Sequence, residues 1–132
     1  MSNTPGDAHT TIQELKDLVI RFSEARNWGT HHTPKNLAMS IAIEAAELME
    51  HFQWDEYSAH DKQEVADELG DILAYCFNLA ARLDIDVASA YKAKLARAEQ
   101  KYPVSLFNAQ QDSPADYARI KKAYRAGKKS TG

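Results

Sequence analysis

Four carboxylates stand in two pairs, and their spacing is the feature of this sequence that most suggests chemistry. Glu44 and Glu47 form the first pair, and Glu68 and Asp71 form the second. Helical residues advance by about 100° each, so residues three apart share one face. Glu44 falls inside an apolar stripe with Glu47 at its edge, and the second pair flanks another stripe. The stripes are Leu37, Ile41, Ala45, Leu48 and Phe52, and Val65, Leu69, Ile72, Cys76, Leu79 and Leu83.

Two acidic pairs on facing helices are therefore expected to be half-buried. An ionised carboxylate in apolar surroundings costs several kcal/mol unless a cation or a set of donors offsets its charge. Carboxylate oxygens are the hard ligands that Mg²⁺ takes in proteins. The spacing favours a metal site, but by itself it leaves open that these acids are ordinary surface charges of helices.

Length and composition limit the class of protein. The chain has 132 residues, enough for one domain with one core. Hydrophobic residues make up 44% and charged residues 27%, with 5 Gly and 4 Pro, which is typical of a soluble, helix-rich protein. The net charge of −3 gives no positive field that would attract polyanions. We therefore expect neither nucleic acid nor a membrane surface as a partner.

The sequence shows no signs of export or of cysteine chemistry. No signal-like segment opens the chain and no apolar run is long enough to span a bilayer, so a cytoplasmic location is expected. The single cysteine, Cys76, lies in an apolar run and is expected to be a core thiol. The histidines other than His32, including His51, show no metal-ligand spacing, and no Glu-x-x-His motif supports a di-iron bundle.

Four main helices are predicted, without strand-like alternation, so the fold class is all-α. Thr11 and Glu14 make a capping box for the first helix, and Thr33 caps the second, which has Pro34 at its first position. The predicted helices run from Thr11 to about Arg26, Pro34 to about Trp54, about Asp61 to Leu83, and from Asp84 or Asp86 to about Lys101, with a break at Asp55 to His60.

The domain organisation follows from these helices. Residues 1–10 are expected to be a flexible leader, residues 11–103 the helical domain, and residues 104–132 a tail. Within the tail, Asp116 to Ala126 could form a short basic helix that Gly127 ends. The second half of the third helix is apolar nearly all round. A four-helix monomer would leave part of this apolar surface exposed to solvent. We therefore expect an oligomer.

The acidic pairs and their neighbours resemble the all-α nucleoside triphosphate pyrophosphohydrolases, the MazG-like superfamily. Glu44-Ala-Ala-Glu47 followed by Glu68-Leu-Gly-Asp71 looks like the paired motif of that family. Four further segments are similar to its dCTP pyrophosphatase branch, and the resemblance covers about Leu15 to Pro103. These segments are Arg26-Asn-Trp28, His32-Thr-Pro34-Lys-Asn36-Leu37, Phe52-Gln-Trp54 and Lys101-Tyr102-Pro103.

The resemblance implies Mg²⁺-dependent hydrolysis of a nucleoside triphosphate, dCTP or a modified dCTP, to the monophosphate and pyrophosphate. Glu44, Glu47, Glu68 and Asp71 would hold the metal, with Mn²⁺ as an alternative ion. Glu47, or else Glu44, would also accept a proton from the attacking water. Such an enzyme would clear unwanted nucleotides as a homodimer or homotetramer. The alternatives are a non-catalytic nucleotide-binding or regulatory protein with this fold, and a structural bundle whose acids are surface charge.

The resemblance also implies substrate contacts. Trp28 and Trp54 would serve the nucleobase, but a straight second helix separates them by about 30 Å, so the pocket would be completed across a subunit interface. Tyr75, one turn after Asp71, is a candidate for the sugar or base. His32 could touch a phosphate or cap the turn.

Basic residues near the end of the fourth helix are candidates for phosphate contact. Lys94, Arg97 and Lys101 share one face, and Tyr102 belongs to the Lys-Tyr-Pro segment. The alternative is a solvated basic helix end, where cations are favourable. Ala98 stands where many relatives have a substrate-contacting Asn, so strict selectivity for dCTP does not follow from the resemblance.

Overall fold

The regular structure of this protein is helical wherever the structure, a computed structural model, describes the chain. It describes residues 6–54, 61–107 and 114–129. The all-α prediction is therefore confirmed within these ranges, while residues 1–5 of the expected leader and the expected break at residues 55–60 lie outside them. The helices are α1 (Ile12–Glu24), α2 (Pro34–Glu50), α3 (Lys62–Arg82), α4 (Val87–Lys101) and α5 (Pro114–Lys129), with 3-10 turns at Trp28–Thr30 and Val104–Leu106.

Side-chain caps begin the first three helices where the sequence predicts them. Thr11 Oγ1 accepts from the Glu14 backbone N–H at 3.1 Å, and Glu14 Oε2 accepts from the Thr11 backbone N–H at 2.6 Å. The side chains of Thr33 and Asp61 accept backbone hydrogen bonds at the starts of α2 and α3. Because these caps satisfy otherwise unpaired backbone donors, local sequence determines where the helices that carry the four acids begin.

The end of α2 was predicted incorrectly. The helix ends at Glu50 rather than near Trp54. Beyond it the hydrogen bonds tighten to the preceding third residue, with the Phe52 N–H donating to the Met49 carbonyl at 3.0 Å. Tightened turns of this kind are common at helix ends. Phe52, the last residue of the predicted apolar stripe, therefore lies beyond the end of α2, as does Trp54.

The contacts divide the chain into two compact units, Met1–Val87 and Ala88–Gly132. In the first unit α3 packs against both α1 and α2. Three of the four predicted main helices thus belong to one unit, and most of α4 is grouped with α5. The basic helix of the tail is longer than predicted, because α5 passes through Gly127 and ends at Lys129. A glycine costs a helix only about 1 kcal/mol relative to alanine, so it need not end one.

The first unit buries few of its large apolar side chains completely. Leu37 and Ala80 are buried, and the second half of α3 is half-buried to buried between Ala74 and Ala81. Cys76 is half-buried, and burial raises the pKa of its thiol. Six large side chains on α1, α2 and α3 are about half exposed: Leu18, Phe22, Met39, Ile43, Leu69 and Leu73. Three of them, Leu18, Phe22 and Leu73, line one groove between α1 and α3.

No described helix is long and apolar enough to cross a membrane. The cytoplasmic location expected from the sequence stays a prediction.

Candidate metal and nucleotide site

Three of the four predicted acids converge where α2 packs on α3. One oxygen from each of Glu44, Glu68 and Asp71 lies within 4.8 Å of the other two. Glu44 and Glu68 are half-buried, whereas Asp71 is exposed. The cluster therefore lies at the edge of the apolar core, with one side open to solvent.

Glu47 stands beside this group rather than in it. Its side chain is exposed, and its carboxyl group helps to raise the pKa of Glu44. Glu47 also lines a cavity of about 380 Å³ together with Glu50, His51 and Glu68. The structure thus brings together three predicted metal ligands, and the role of Glu47 as the fourth ligand or as the base stays a prediction.

Burial and the neighbouring acids both change the pKa of Glu44. Burial raises the pKa of its carboxyl group above the usual value, and the hydrogen bond to Glu47 raises it further. The negative charges of Glu47, Asp71 and Glu68 add to the same effect. Without a cation, the cluster therefore favours a proton at Glu44.

Glu68 supplies the observation that tests whether a cation fits. Its Oε2 atom is buried and has no hydrogen-bond partner among the described residues. A buried acceptor without a donor is costly, and native proteins rarely contain one. Carboxylate oxygens are also the ligand type that Mg²⁺ and Mn²⁺ prefer. The donor set of Glu44, Glu68 and Asp71 therefore fits a hard divalent cation.

His51 is a site residue that the sequence analysis missed. Its Nε2 atom lies 3.1 Å from Glu68 Oε1, and its Nδ1 atom lies 3.6 Å from Glu64 Oε2. A histidine can orient a ligating carboxylate without binding the metal itself, so a search for ligand spacing overlooks it. The sequence does contain a signal for His51. It lies four residues after Glu47 and seven after Glu44, a spacing that places it on their side of the helix axis.

An aromatic cavity of about 130 Å³ adjoins the acids at Asp71. Trp28, His32 and Tyr75, all predicted to bind substrate, line it together with Asp71. The Trp28 and His32 rings lie 5.7 Å apart, and the His32 and Tyr75 rings lie 6.3 Å apart. The structure therefore brings three predicted substrate residues next to a predicted metal ligand.

The turn that carries Trp28 is determined by its neighbours. Asn27 has a left-handed backbone with φ of 55°, which Asn tolerates better than most residues, and it redirects the chain after α1. The Trp28 ring packs edge-on against Phe22 at 5.6 Å. The guanidinium group of Arg26 lies over the Phe22 ring, with its carbon 3.6 Å from the ring centroid. These contacts hold Trp28 at the cavity, where it is 42% exposed.

Two buried polar side chains that line this cavity also escaped the sequence analysis. Asn78 and Ser23 are 1% and 0% exposed. Asn78 hydrogen-bonds Ser23, Arg82 and the Nδ1 atom of His32. His32 is therefore held by Asn78, while Thr33 caps the start of α2. The signal in the sequence was the single Asn inside the apolar run from residue 72 to 81, because buried amides are hydrogen-bonded.

Trp54 is not gathered into the cavity that holds Trp28. It follows the end of α2 and is 85% exposed. Its contact with a base stays a prediction.

Lys94, Lys101 and Tyr102 belong to the second unit, where they line a cavity of about 340 Å³ between α4 and α5. Tyr102 stacks on Tyr117, with ring centroids 5.2 Å apart. The Lys101 ammonium lies 4.6 Å from the Tyr124 centroid. Phosphate contact by these residues stays a prediction.

A protein-family model matches this chain over the region that contains the acidic site. The model of the MazG-like family matches residues 39–113, more than half of the chain and all four acids. This chain belongs to the MazG-like family. It is 35% identical over 104 residues to dCTP pyrophosphatase 1 of Bos taurus and 31% identical to that of Homo sapiens, across 73% of its own length. The resemblance to the dCTP pyrophosphatase branch is thereby confirmed.

This MazG-like chain spans about 62% of the length of the bovine relative and 61% of the human one. It is also similar to the crystal structure of a pyrophosphatase from Archaeoglobus fulgidus, with a TM-score of 0.66 and 39% identity. That match covers 76% of this chain and 99% of the archaeal chain.

Proposed function

We propose that this protein hydrolyses a nucleoside triphosphate to the monophosphate and pyrophosphate in a reaction that depends on Mg²⁺. The observation that carries the proposal is the convergence of Glu44, Glu68 and Asp71 beside an aromatic cavity. The buried Glu68 Oε2 atom, which has no donor among the described residues, supports a cation at that point. The similarity to dCTP pyrophosphatases and to an archaeal pyrophosphatase supports the reaction class.

Each acid has a proposed task. Glu44, Glu68 and Asp71 would hold Mg²⁺, or Mn²⁺ in its place, with Glu47 as the fourth candidate ligand. A bound divalent cation neutralises phosphate charge and lowers the pKa of bound water. His51 orients the Glu68 carboxylate through their 3.1 Å contact. Glu47 is our first candidate for accepting the proton of the attacking water because it is exposed beside Glu44, which is the second candidate.

The aromatic cavity would take the base. At about 130 Å³ it is slightly smaller than the engineered protein cavities of about 150 Å³ that hold benzene. It therefore suits a single pyrimidine ring better than a purine. Stacking on Trp28 would contribute about 1–3 kcal/mol to binding. We propose a pyrimidine deoxynucleotide such as dCTP or a 5-substituted dCTP, with Trp54, Tyr75, Lys94, Lys101 and Tyr102 as further candidate contacts.

Self-association would cover the exposed apolar surface. A groove of about 560 Å³ between α1 and α3 is lined by Leu18, Phe22 and Leu73, each about half exposed. Asp71 also lies along this groove. We propose that a second copy of the chain packs here, in a homodimer or homotetramer, because burying apolar area is the main driving force of such association.

Pyrophosphate release tests the reaction class. The assay would offer the standard NTPs and dNTPs and 5-methyl-dCTP, with Mg²⁺, with Mn²⁺ and with EDTA. We expect metal-dependent release, fastest with cytosine deoxynucleotides. A non-catalytic nucleotide-binding protein would bind triphosphate in calorimetry without releasing pyrophosphate, and that result would overturn the proposal.

A further inference from the structure

A chain of hydrogen bonds in the wall of the aromatic cavity determines how the Asn78 amide is oriented. Asn78 Oδ1 accepts from Arg82 Nε at 2.9 Å. An arginine guanidinium only donates hydrogen bonds, so the oxygen of the amide must face Arg82. The Nδ2 group consequently points to Ser23 Oγ, at 3.1 Å, and to His32 Nδ1, at 3.0 Å.

The two amide protons of Asn78 can then be assigned. The Ser23 hydroxyl donates to the Val19 carbonyl at 2.9 Å, so its oxygen accepts one proton of Nδ2. The second proton points at His32 Nδ1, which must act as an acceptor. Neutral imidazole has one N–H donor and one acceptor, so the proton of His32 resides on Nε2.

The surroundings of His32 favour this neutral ring. Burial lowers the pKa of His32 most, and the positive charges of Arg82 and His31 lower it further. Among the described residues, Nε2 has no hydrogen-bond partner. Since His32 lines the cavity with Trp28, its Nε2–H group remains available for a ligand.

We propose that Asn78 and Arg82 are positioning residues that hold His32 as the Nε2–H tautomer, so that the aromatic cavity presents a hydrogen-bond donor of constant position to the base. This inference rests on the proposed function, because it names how the same site selects its substrate. Asn78 also lines the cavity. Its amide oxygen accepts from Arg82 and its two amide protons face Ser23 and His32, so Asn78 acts through His32 rather than through a hydrogen bond of its own to a ligand.

A donor of constant position distinguishes pyrimidines by the edge that they present. Cytosine carries two adjacent acceptors, N3 and O2, whereas uracil and thymine carry an N–H donor at N3. A donor that faces N3 forms a hydrogen bond with cytosine. With uracil the same donor meets the N3–H donor and stays unpaired, so uracil should bind roughly tenfold or more weakly. Substituents at carbon 5 leave that edge unchanged. The substrate class is therefore cytosine nucleotides, including 5-substituted ones.

The tautomer can be read from the full chain by nitrogen NMR. With ¹⁵N-labelled histidine at mildly alkaline pH, long-range proton–nitrogen correlations distinguish the protonated ring nitrogen from the bare one. A His32→Gln variant assigns the signals. We expect a protonated Nε2 and a bare Nδ1 in His32; a protonated Nδ1 would overturn the inference.

Binding of two non-hydrolysable probes separates positioning from mere structural support. The α,β-imido analogues of dCTP and dUTP would be titrated calorimetrically, and the wild-type chain should prefer the cytosine analogue by roughly tenfold or more. Asn78→Asp keeps the side-chain size and the acceptor for Arg82, but it offers His32 an acceptor in place of a donor. His32 Nδ1 should then take the proton, and the preference should fall about tenfold or reverse.

Ser23→Ala is the matched control. It removes the other partner of the same amide but keeps the donor to His32, so thermal stability should fall while the preference for cytosine stays. A switched tautomer in Asn78→Asp with an unchanged preference would overturn the inference, as would failure of the wild-type chain to bind either analogue. If Asn78→Asp does not fold, the tautomer of His32 and the cytosine preference of the wild-type chain decide whether the inference holds.

The outcome for the proposed function is separate. If the tautomer and the preference are as expected but no triphosphate is hydrolysed, the proposed reaction is wrong and the selective base site stands. If hydrolysis occurs without base preference, the reaction stands and this inference is wrong.

Discussion

The Nε2 atom of His51 lies 3.1 Å from Oε1 of Glu68, while the other oxygen of that carboxylate is buried without a donor among the described residues. One oxygen is thus held by the protein, and Glu68 also contributes an oxygen to the acidic cluster with Glu44 and Asp71. This arrangement suits a ligating carboxylate whose orientation is set before the cation arrives.

His51→Ala should weaken metal binding about 10-fold to 100-fold, because the Glu68 carboxylate loses its orienting partner. The measurement is the Mg²⁺ concentration that gives half-maximal pyrophosphate release. Turnover at saturating Mg²⁺ should change much less. His9→Ala, at an exposed histidine far along the chain, is the control. An unchanged Mg²⁺ requirement in His51→Ala would show that His51 does not support the site.

Glu68→Gln should abolish both turnover and the stabilisation that Mg²⁺ gives. A ligand that binds only the folded state stabilises it by about 2.7 kcal/mol at one hundred times its dissociation constant. The wild-type melting temperature should therefore rise with Mg²⁺ and return with EDTA, whereas that of Glu68→Gln should not respond. Glu24→Gln, at an exposed acid of α1, should respond as the wild type does. A wild-type response in Glu68→Gln would contradict the proposed metal site.

Glu47→Gln tests the acid that stands beside the cluster. If Glu47 accepts the proton of the attacking water, turnover should fall about 10²-fold to 10⁴-fold while Mg²⁺ still raises the melting temperature. If Glu47 is a metal ligand, both responses should be lost. Helical content by circular dichroism should stay the same in either case. Activity close to that of the wild type would remove Glu47 from the site.

Trp28→Ala should raise KM more than it lowers kcat. Loss of a stacking partner costs about 1–3 kcal/mol, which corresponds to roughly a 5-fold to 150-fold increase in KM. Trp54→Ala should show the same pattern, provided that Trp54 reaches a base across a subunit interface. Tyr91→Ala, at a 65% exposed aromatic residue of α4, is the control. An unchanged KM would show that the tryptophan concerned does not contact the base and has a structural role instead.

Leu18→Glu should shift the chain from oligomer to monomer. A buried, unpaired charge in an apolar interface costs several kcal/mol, and Leu18 lies in the groove that we propose a second copy covers. Light scattering coupled to size exclusion measures the mass directly. Leu95→Glu, at a similarly exposed leucine of α4, is the comparison. A monomeric wild type would refute self-association.

Much of this protein could be predicted from short-range sequence relations. The capping box of Thr11 and Glu14 began α1 where expected, and Thr33 began α2. The placement of Glu44 and Glu68 at apolar stripes correctly predicted that both are half-buried. The same expectation was wrong for Glu47 and Asp71, which are exposed. These successes share a cause, since caps and i,i+3 relations depend only on residues within one turn.

Helix ends and contacts between helices could not be predicted in this way. The end of α2 at Glu50 depends on how the chain tightens after it, and Gly127 allows α5 to continue. The contact of His51 with Glu68 joins residues 17 apart in sequence, and that of Asn78 with Ser23 joins residues 55 apart. Nothing in either residue type specifies its distant partner.

The sequence by itself determined the helical class, the starts of the first three helices, and the presence of two acidic pairs on helix faces. Tertiary structure alone decided that Glu44, Glu68 and Asp71 meet while Glu47 stands beside them. It also decided that Asn78 holds His32 beside Trp28. The physical reason is that helix geometry fixes distances within one turn, whereas distances between helices depend on how every side chain at their interface packs.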